Sequence, residues 1–241
     1  MRFRFLIRAT LFGLSLSCAY GQDLAINIDP ASGKLPKHVL PHAYMIQLVP
    51  DLAQLSIATG QERVSYSGTV QIDVEVRQQI DAIILNANEI SFASATIDGV
   101  ASKVEIDRSD QTAKVVPASQ LNVGRHTLAI EYSGMILSHQ EGLFYSTYDT
   151  PAGRRWVLAT DLEPSGARRI FPGWDEPDFK ATFSLSVTLP TNFRAVSNMP
   201  VIHERADGDA RRVLHADAGL SDHVSHWHTS VGKCATLRDG R

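Results

Sequence analysis

Cysteine is nearly absent: the 241 residues contain two, Cys18 and Cys234. Cys18 falls inside a leader-like segment, so the mature chain is expected to carry one thiol and no internal disulfide. A chain this long does not need such staples to hold a core. One-signed charge is missing too. Lys and Arg number 23 against 26 Asp and Glu, for a net charge of −3, with both signs mixed throughout. No basic stripe is present, which argues against nucleic acid as a partner. No apolar run reaches the roughly 20 residues a spanning helix needs, so no stable membrane span is expected. After the leader, no stretch of 12 or more residues holds a 3.6-residue apolar period, which leaves little room for helix. Internal repeats and low-complexity tracts are also lacking.

What is present is ordinary globular composition, 44% hydrophobic and 20% charged, enough for one large β domain or two small ones. Residues 1–21 read as a secretory signal. Arg2, Arg4 and Arg8 give a positive start, Ala9 to Ala19 is short and uncharged, and Ala19-Tyr20-Gly21 offers small residues before Gln22. This places the protein outside the cytoplasm, in a periplasmic or extracellular setting. Leu16-Ser17-Cys18 also loosely resembles a lipoprotein cleavage site, with Cys18 as the alternative anchor, although Ser15 stands where a large aliphatic is usual. Residues 22–39, with Pro30, Gly33 and Pro36, read as an extended arm or linker.

From residue 40 the pattern is β. His42 to Val49 is rich in apolar residues. Thr69 to Val76 alternates strictly, with Val70, Ile72, Val74 and Val76 on one face. Ala82–Leu85, Ile90–Ile97, Lys103–Ile106, Ala113–Val116 and His126–Tyr132 continue in short runs. Asp98-Gly99 and Asn122-Val123-Gly124 mark turns between them. In the last regular strand Ala181, Phe183, Leu185, Val187 and Leu189 point one way and Thr182, Ser184, Ser186 and Thr188 the other. Many short strands with regular turns predict an all-β fold, an antiparallel β-sandwich or saddle-like sheet, over residues 40–215.

Residues 142–200 carry a longer signature. Gly142-Leu143-Phe144-Tyr145-Ser146 leads to Ala159-Thr160-Asp161-Leu162-Glu163-Pro164-Ser165-Gly166-Ala167-Arg168-Arg169. Phe171-Pro172-Gly173-Trp174-Asp175-Glu176-Pro177 and Phe179-Lys180-Ala181-Thr182-Phe183 follow, then Ser197-Asn198-Met199-Pro200. In order and spacing this resembles the N-terminal domain of M1 zinc aminopeptidases of the aminopeptidase N type. That family typically reads Thr-Gln-Phe-Glu-Pro, then Ala-Arg, Phe-Pro-Cys, an aromatic, Asp-Glu-Pro and Lys-Ala-x-Phe. Pro41-His42-Ala43-Tyr44 and Ser67-Gly68-Thr69-Val70 also resemble that domain's first strands, so the likeness runs from about residue 38 to 215. Two departures stand out: Asp161 replaces the family's Gln, and Gly173 its frequent Cys.

The resemblance implies removal of N-terminal residues from peptides by a larger parent, with zinc as the parent's cofactor. It places Glu163 beside the substrate's free α-amine. A fixed carboxylate suits that task because a blocked terminus would leave it unpaired. Pro164 restricts the backbone before it and helps aim the side chain. From residue type alone, Glu163 is equally a solvated loop residue or a partner of Arg168. Arg168, Asp175, Glu176, Pro177 and Lys180 are expected to form a structural network of loop hydrogen bonds and ion pairs. Asp175 and Glu176 are a poor paired acid and base, since sequence neighbours on a turn rarely converge. Phe171 and Trp174 are expected to pack rather than bind.

The family's His-Glu-x-x-His zinc motif does not occur in the 241 residues. His203-Glu204 has Asp207 where the second His should stand. The family's Gly-x-Met-Glu-Asn segment is absent as well. No catalytic residue and no metal ligand is therefore named, the missing catalytic domain becomes the implied partner, and these residues alone are expected to be inactive, without a bound cofactor. After His215 the family pattern stops, and residues 216–241 read as an atypical, disordered tail, such as a frameshift would produce. The ligand types in His223, His226, His228 and Cys234 would suit zinc, but in no familiar spacing. Two alternatives from another class remain: a stand-alone, non-catalytic β-sandwich binding module, and a non-catalytic scaffold relative.

Overall fold

The period-two alternation of the sequence becomes one large sheet. The computed structural model describes residues 34–53, 64–151, 153–191, 193, 195–197, 199–207 and 210–216. The leader, Cys18, the tail histidines and Cys234 lie outside the described residues.

The strands are β1 Val39–Pro50, β2 Val64–Val76, β3 Ile83–Asn86, β4 Ser91–Ile97, β5 Val100–Ala101, β6 Lys103–Asp107 and β7 Thr112–Val116. There follow β8 Gly124–Ile136, β9 Gly142–Thr150, β10 Gly153–Asp161, β11 Thr182–Pro190, β12 Val201–Asp207 and β13 Ala210–Ala216. Eight form a sheet in the order β12-β13-β11-β1-β2-β8-β4-β5. A three-stranded sheet, β3-β7-β6, and the β9-β10 hairpin complete the fold. No described helix is long and apolar enough to cross a membrane.

The core follows the inward positions of β2. Val70, Ile72, Val74 and Val76 are all at most 1% exposed. Tyr44, Ile46 and Leu48 of β1, Leu128, Ile130 and Tyr132 of β8, and Ile83, Leu85, Ala113 and Val115 of the small sheet join them in one cluster. Each fully buried aliphatic contributes roughly 1.5–3 kcal/mol. Tyr66 and Tyr132 use the adjoining strand in an unusual way. In the β2–β8 register Tyr66 lies opposite Gly134, and Gly68 opposite Tyr132. Each ring lies against the facing glycine, and the two rings meet edge to face at 6.4 Å.

Three details differ from expectation. The β1–β11 pair is parallel, in an otherwise antiparallel set of ladders. In β11, Ser186 is buried while Leu185 and Val187 are only partly covered. Along that face Thr182, Ser184 and Thr188 are partly exposed, so the burial is local to Ser186, which lies opposite Gln47 of β1. The Asn122–Gly124 turn joins β7 of the small sheet to β8 of the large one, so it is a crossing between sheets. Asp98-Gly99, in contrast, forms the β4–β5 hairpin, with φ of 52° and 78° at its two residues, the positive pair a type I′ turn requires. Within the expected arm Leu35 is packed: it is 3% exposed, and its N–H donates to Glu176 Oε1 at 2.5 Å.

Candidate functional site

β10 delivers the chain to a tight loop. Leu162, 1% exposed, plugs into the core and pins the loop's first half. Gly166 N–H donates back to the Leu162 carbonyl at 2.7 Å, and a single 3-10 turn, Ala167–Arg169, follows. Between these anchors Glu163 and Pro164 are exposed, and their peptide is cis. The Glu163 N–H is held by Asp161 Oδ1 at 3.4 Å. Among the described residues no protein group bonds the Glu163 carboxylate, and Arg168 is not its partner.

Arg168 belongs instead to Asp175. Asp175 Oδ2 accepts from Arg168 N–H at 3.2 Å and from its Nε at 3.0 Å, and the Asp175 carbonyl accepts from Nη2 at 3.3 Å. Nη1 reaches Gln111 Oε1 at 3.4 Å. The side chains are 15% and 9% exposed, so the pair sits where removing one partner is costly.

The far side of the loop is fixed by side chains distant in sequence. Asn86, 1% exposed, accepts the Asp175 N–H on its Oδ1 at 3.0 Å. Its backbone exchanges hydrogen bonds with Gly173, at 2.7 and 3.1 Å. Trp174 N–H donates to Tyr44 Oη at 3.1 Å. Burial pushes the Tyr44 hydroxyl far above the usual phenol range, so it stays neutral. Space at Gly173 is tight: a Cβ there would lie 3.0 Å from the Tyr44 ring, which would have to give by a few tenths of an ångström. Tyr66 Oη lies 2.8 Å from the carbonyls of both Arg169 and Ile170, at the exit of the 3-10 turn. Arg169 spans Glu89 and Glu141, at 2.6 and 2.7 Å.

The remaining members of the signature are peripheral. Glu176 holds the Leu35 N–H, Pro177 is an exposed turn residue, and Lys180 is exposed just before β11. Asp175 and Glu176 serve different neighbours and do not converge. Phe171 and Trp174 are buried in the core. Sequence reasoning missed Asn86, Tyr66, Arg169, Glu89 and Glu141 as members of this network. Asn86 alone carried a local signal, a polar residue closing the apolar run Ile83–Leu85. Among the described residues no three His, Cys, Asp or Glu side chains come together to hold a metal, so no step is assigned to one here.

An all-strand domain that presents the exposed Glu163 loop on a hydrogen-bonded base is the class this architecture defines. The sequence matches the Peptidase M1 N-terminal domain over residues 40–217, and the chain belongs to that family. It is 37% identical over 214 residues to "Aminopeptidase N" of Acetobacter pasteurianus, covering 88% of this chain and 58% of that protein. It is 30% identical over 220 residues to "Aminopeptidase M1" of Arabidopsis thaliana, covering 83% of this chain and 24% of the relative. It is also 30% identical over 179 residues to human "Endoplasmic reticulum aminopeptidase 1", covering 70% and 18%. The chain thus spans between about a fifth and three fifths of the length of these relatives.

Proposed function

We propose that this chain is the substrate-pocket and scaffold domain of an exported zinc metallo-aminopeptidase. In this reading Glu163 receives the α-ammonium of a peptide's N-terminus. The observation that carries it is the Glu163 carboxylate, exposed and without a protein partner, on a loop held at both ends by Leu162 and the Arg168–Asp175 pair. A carboxylate so placed pairs with a free amine and loses that pairing with a blocked end, which selects the first residue of a chain. The rigid base keeps it in place, so little ordering entropy is lost on binding. Zinc, held by a catalytic domain whose ligands are not among these residues, would activate the attacking water there. The domain's own share is to bind and orient the amine end.

A chimera tests this. The matching segment of the Arabidopsis relative is replaced by this domain, and kcat/KM is measured on amino-acid arylamides with and without Glu163→Gln. Loss of an ion-paired hydrogen bond of about 1.5–3 kcal/mol predicts a 10- to 100-fold fall. A change within twofold would remove Glu163 from the reading. The chain by itself should hydrolyse none of these substrates, with or without added zinc. Chelator-sensitive hydrolysis would place catalysis in this chain and overturn the assignment to a separate domain.

A further inference from the structure

At the end of the large sheet remote in sequence from Glu163, one histidine is bound on both ring nitrogens. His126, near the start of β8, has Nδ1 2.6 Å from Asp98 Oδ2 and Nε2 2.9 Å from the carbonyl oxygen of Asn122. A carboxylate and a peptide carbonyl can only accept. A neutral imidazole has one N–H, so it can serve one of these contacts, whereas an imidazolium serves both. The ring is 14% exposed and Asp98 49%. Asp98 is already committed: its Oδ1 accepts the Thr127 N–H at 2.8 Å, and its own N–H donates to the Thr127 carbonyl at 2.8 Å. The type I′ turn of β4–β5, the segment entering β8 and β8 itself therefore meet on one ring. We infer that His126 is a proton-operated clasp, which fastens the β4–β5 turn and the Asn122 segment to β8 in mildly acidic surroundings and loosens as the medium turns alkaline.

The electrostatics agree with the geometry. Burial pulls the His126 pKa down, but the bonds to Asp98 and Asn122 and the charge of the Asp98 carboxylate outweigh it, and the net shift is upward from 6.5. For Asp98, burial works upward, yet the Thr127 N–H and His126 dominate and hold it below 3.8. A raised histidine stabilises fully below its unfolded pKa and loses that contribution as pH rises through the folded one. A depressed carboxylate stabilises above its unfolded pKa and loses it as pH falls through the folded one. The clasp is thus fully closed between the two ordinary values, 3.8 and 6.5.

The groups around the ring leave this sign intact. From β2 the residue opposite is Val74, which is uncharged. From the entering segment Asn122 is neutral, and its side chain accepts from Gln79 at 3.4 Å. Arg125 and Thr127, the ring's neighbours along β8, pair across the other face of the sheet with Glu75 and Asp73. Among the described residues Asp98 is the one charged group bonded to the ring.

Residue-resolved NMR titration of the full chain tests the clasp, together with thermal melts at pH 5.5 and 8.5. His126 should titrate above 6.5. Asp98→Asn keeps a residue that tolerates positive φ and an oxygen for Thr127, so the hairpin survives while the charge is gone. In that variant the His126 pKa should drop towards 6.5. Its melting temperature should also fall less between the two pH values, by on the order of 2–4 °C. His38, whose burial holds its pKa below 6.5, contributes the opposite slope, so the comparison between variants isolates His126. A wild-type His126 that titrates at or below 6.5 overturns the inference even if the variant does not fold. An unchanged pH slope in a folded Asp98→Asn protein overturns it as well.

Discussion

Replacing Gly134 by alanine separates propensity from packing. In a strand interior alanine is intrinsically better than glycine by roughly 0.5–1 kcal/mol, so a reading from propensity alone predicts a gain. The structure predicts a loss. A Cβ at residue 134 would stand 2.2 Å from Tyr66 Oη and 2.5 Å from its Cζ. The ring is 2% exposed and has nowhere open to go. Moving it by more than an ångström lifts the hydroxyl from the carbonyls of Arg169 and Ile170, both at 2.8 Å. Overpacking costs about 1–3 kcal/mol, and stranding the buried groups a further 1–3 kcal/mol. The net expectation is about 2–5 kcal/mol, or a fall in melting temperature of roughly 5–15 °C. The assay is thermal unfolding followed by circular dichroism. Tyr66→Leu supplies the control: with the ring gone, Gly134→Ala should cost under about 1 kcal/mol, a coupling within the range contacting residues show. A melting temperature within 2 °C of wild type for Gly134→Ala alone would refute the reasoning.

Four further outcomes are expected. Asp175→Asn should cost about 3–5 kcal/mol in chemical unfolding, because it leaves the enclosed Arg168 without its counter-charge. Arg168→Lys should cost less, since one ammonium still pairs with Asp175 but cannot span Oδ2, the Asp175 carbonyl and Gln111 together. Tyr44→Phe should cost about 1–3 kcal/mol, as the buried Trp174 N–H loses its acceptor, and urea titration reads it directly. Glu163→Gln should leave the melting temperature within about 1 °C, since an exposed group away from structural contacts changes stability little. A large shift there would mean Glu163 is structural.

Where a strand repeats every two residues and one face is buried, the sequence reveals it. Thr69–Val76 did, and so did the Asp98-Gly99 hairpin, because both are local. The partners of the signature loop could not be read that way. Arg168 and Asp175 lie seven residues apart, yet Asn86, Tyr44 and Tyr66 reach the same loop from strands 89 to 130 residues away. No local period encodes such meetings. Alternation in β11 told its two faces apart but not how deeply each residue on a face is buried, as Ser186 shows. The family signature did point to the loop as a unit, while the open carboxylate of Glu163 became visible only once Arg168 was seen to be occupied elsewhere.

The parallel pairing of β1 with β11 also sets a schedule. The two strands meet across 140 residues, as in the bond from Thr182 Oγ1 to the His42 carbonyl. During synthesis at 5–20 residues per second, β1 waits roughly 7–28 s for that neighbour. Until then it has β2 on one side and a bare edge on the other, with Met45 and Val49 on its outer face. A growing chain with an open apolar-tinged edge is an invitation to other strands. The same pairing that closes the finished sheet thus makes the nascent domain dependent on whatever shields that edge, and a high share of long-range contacts slows its closure further.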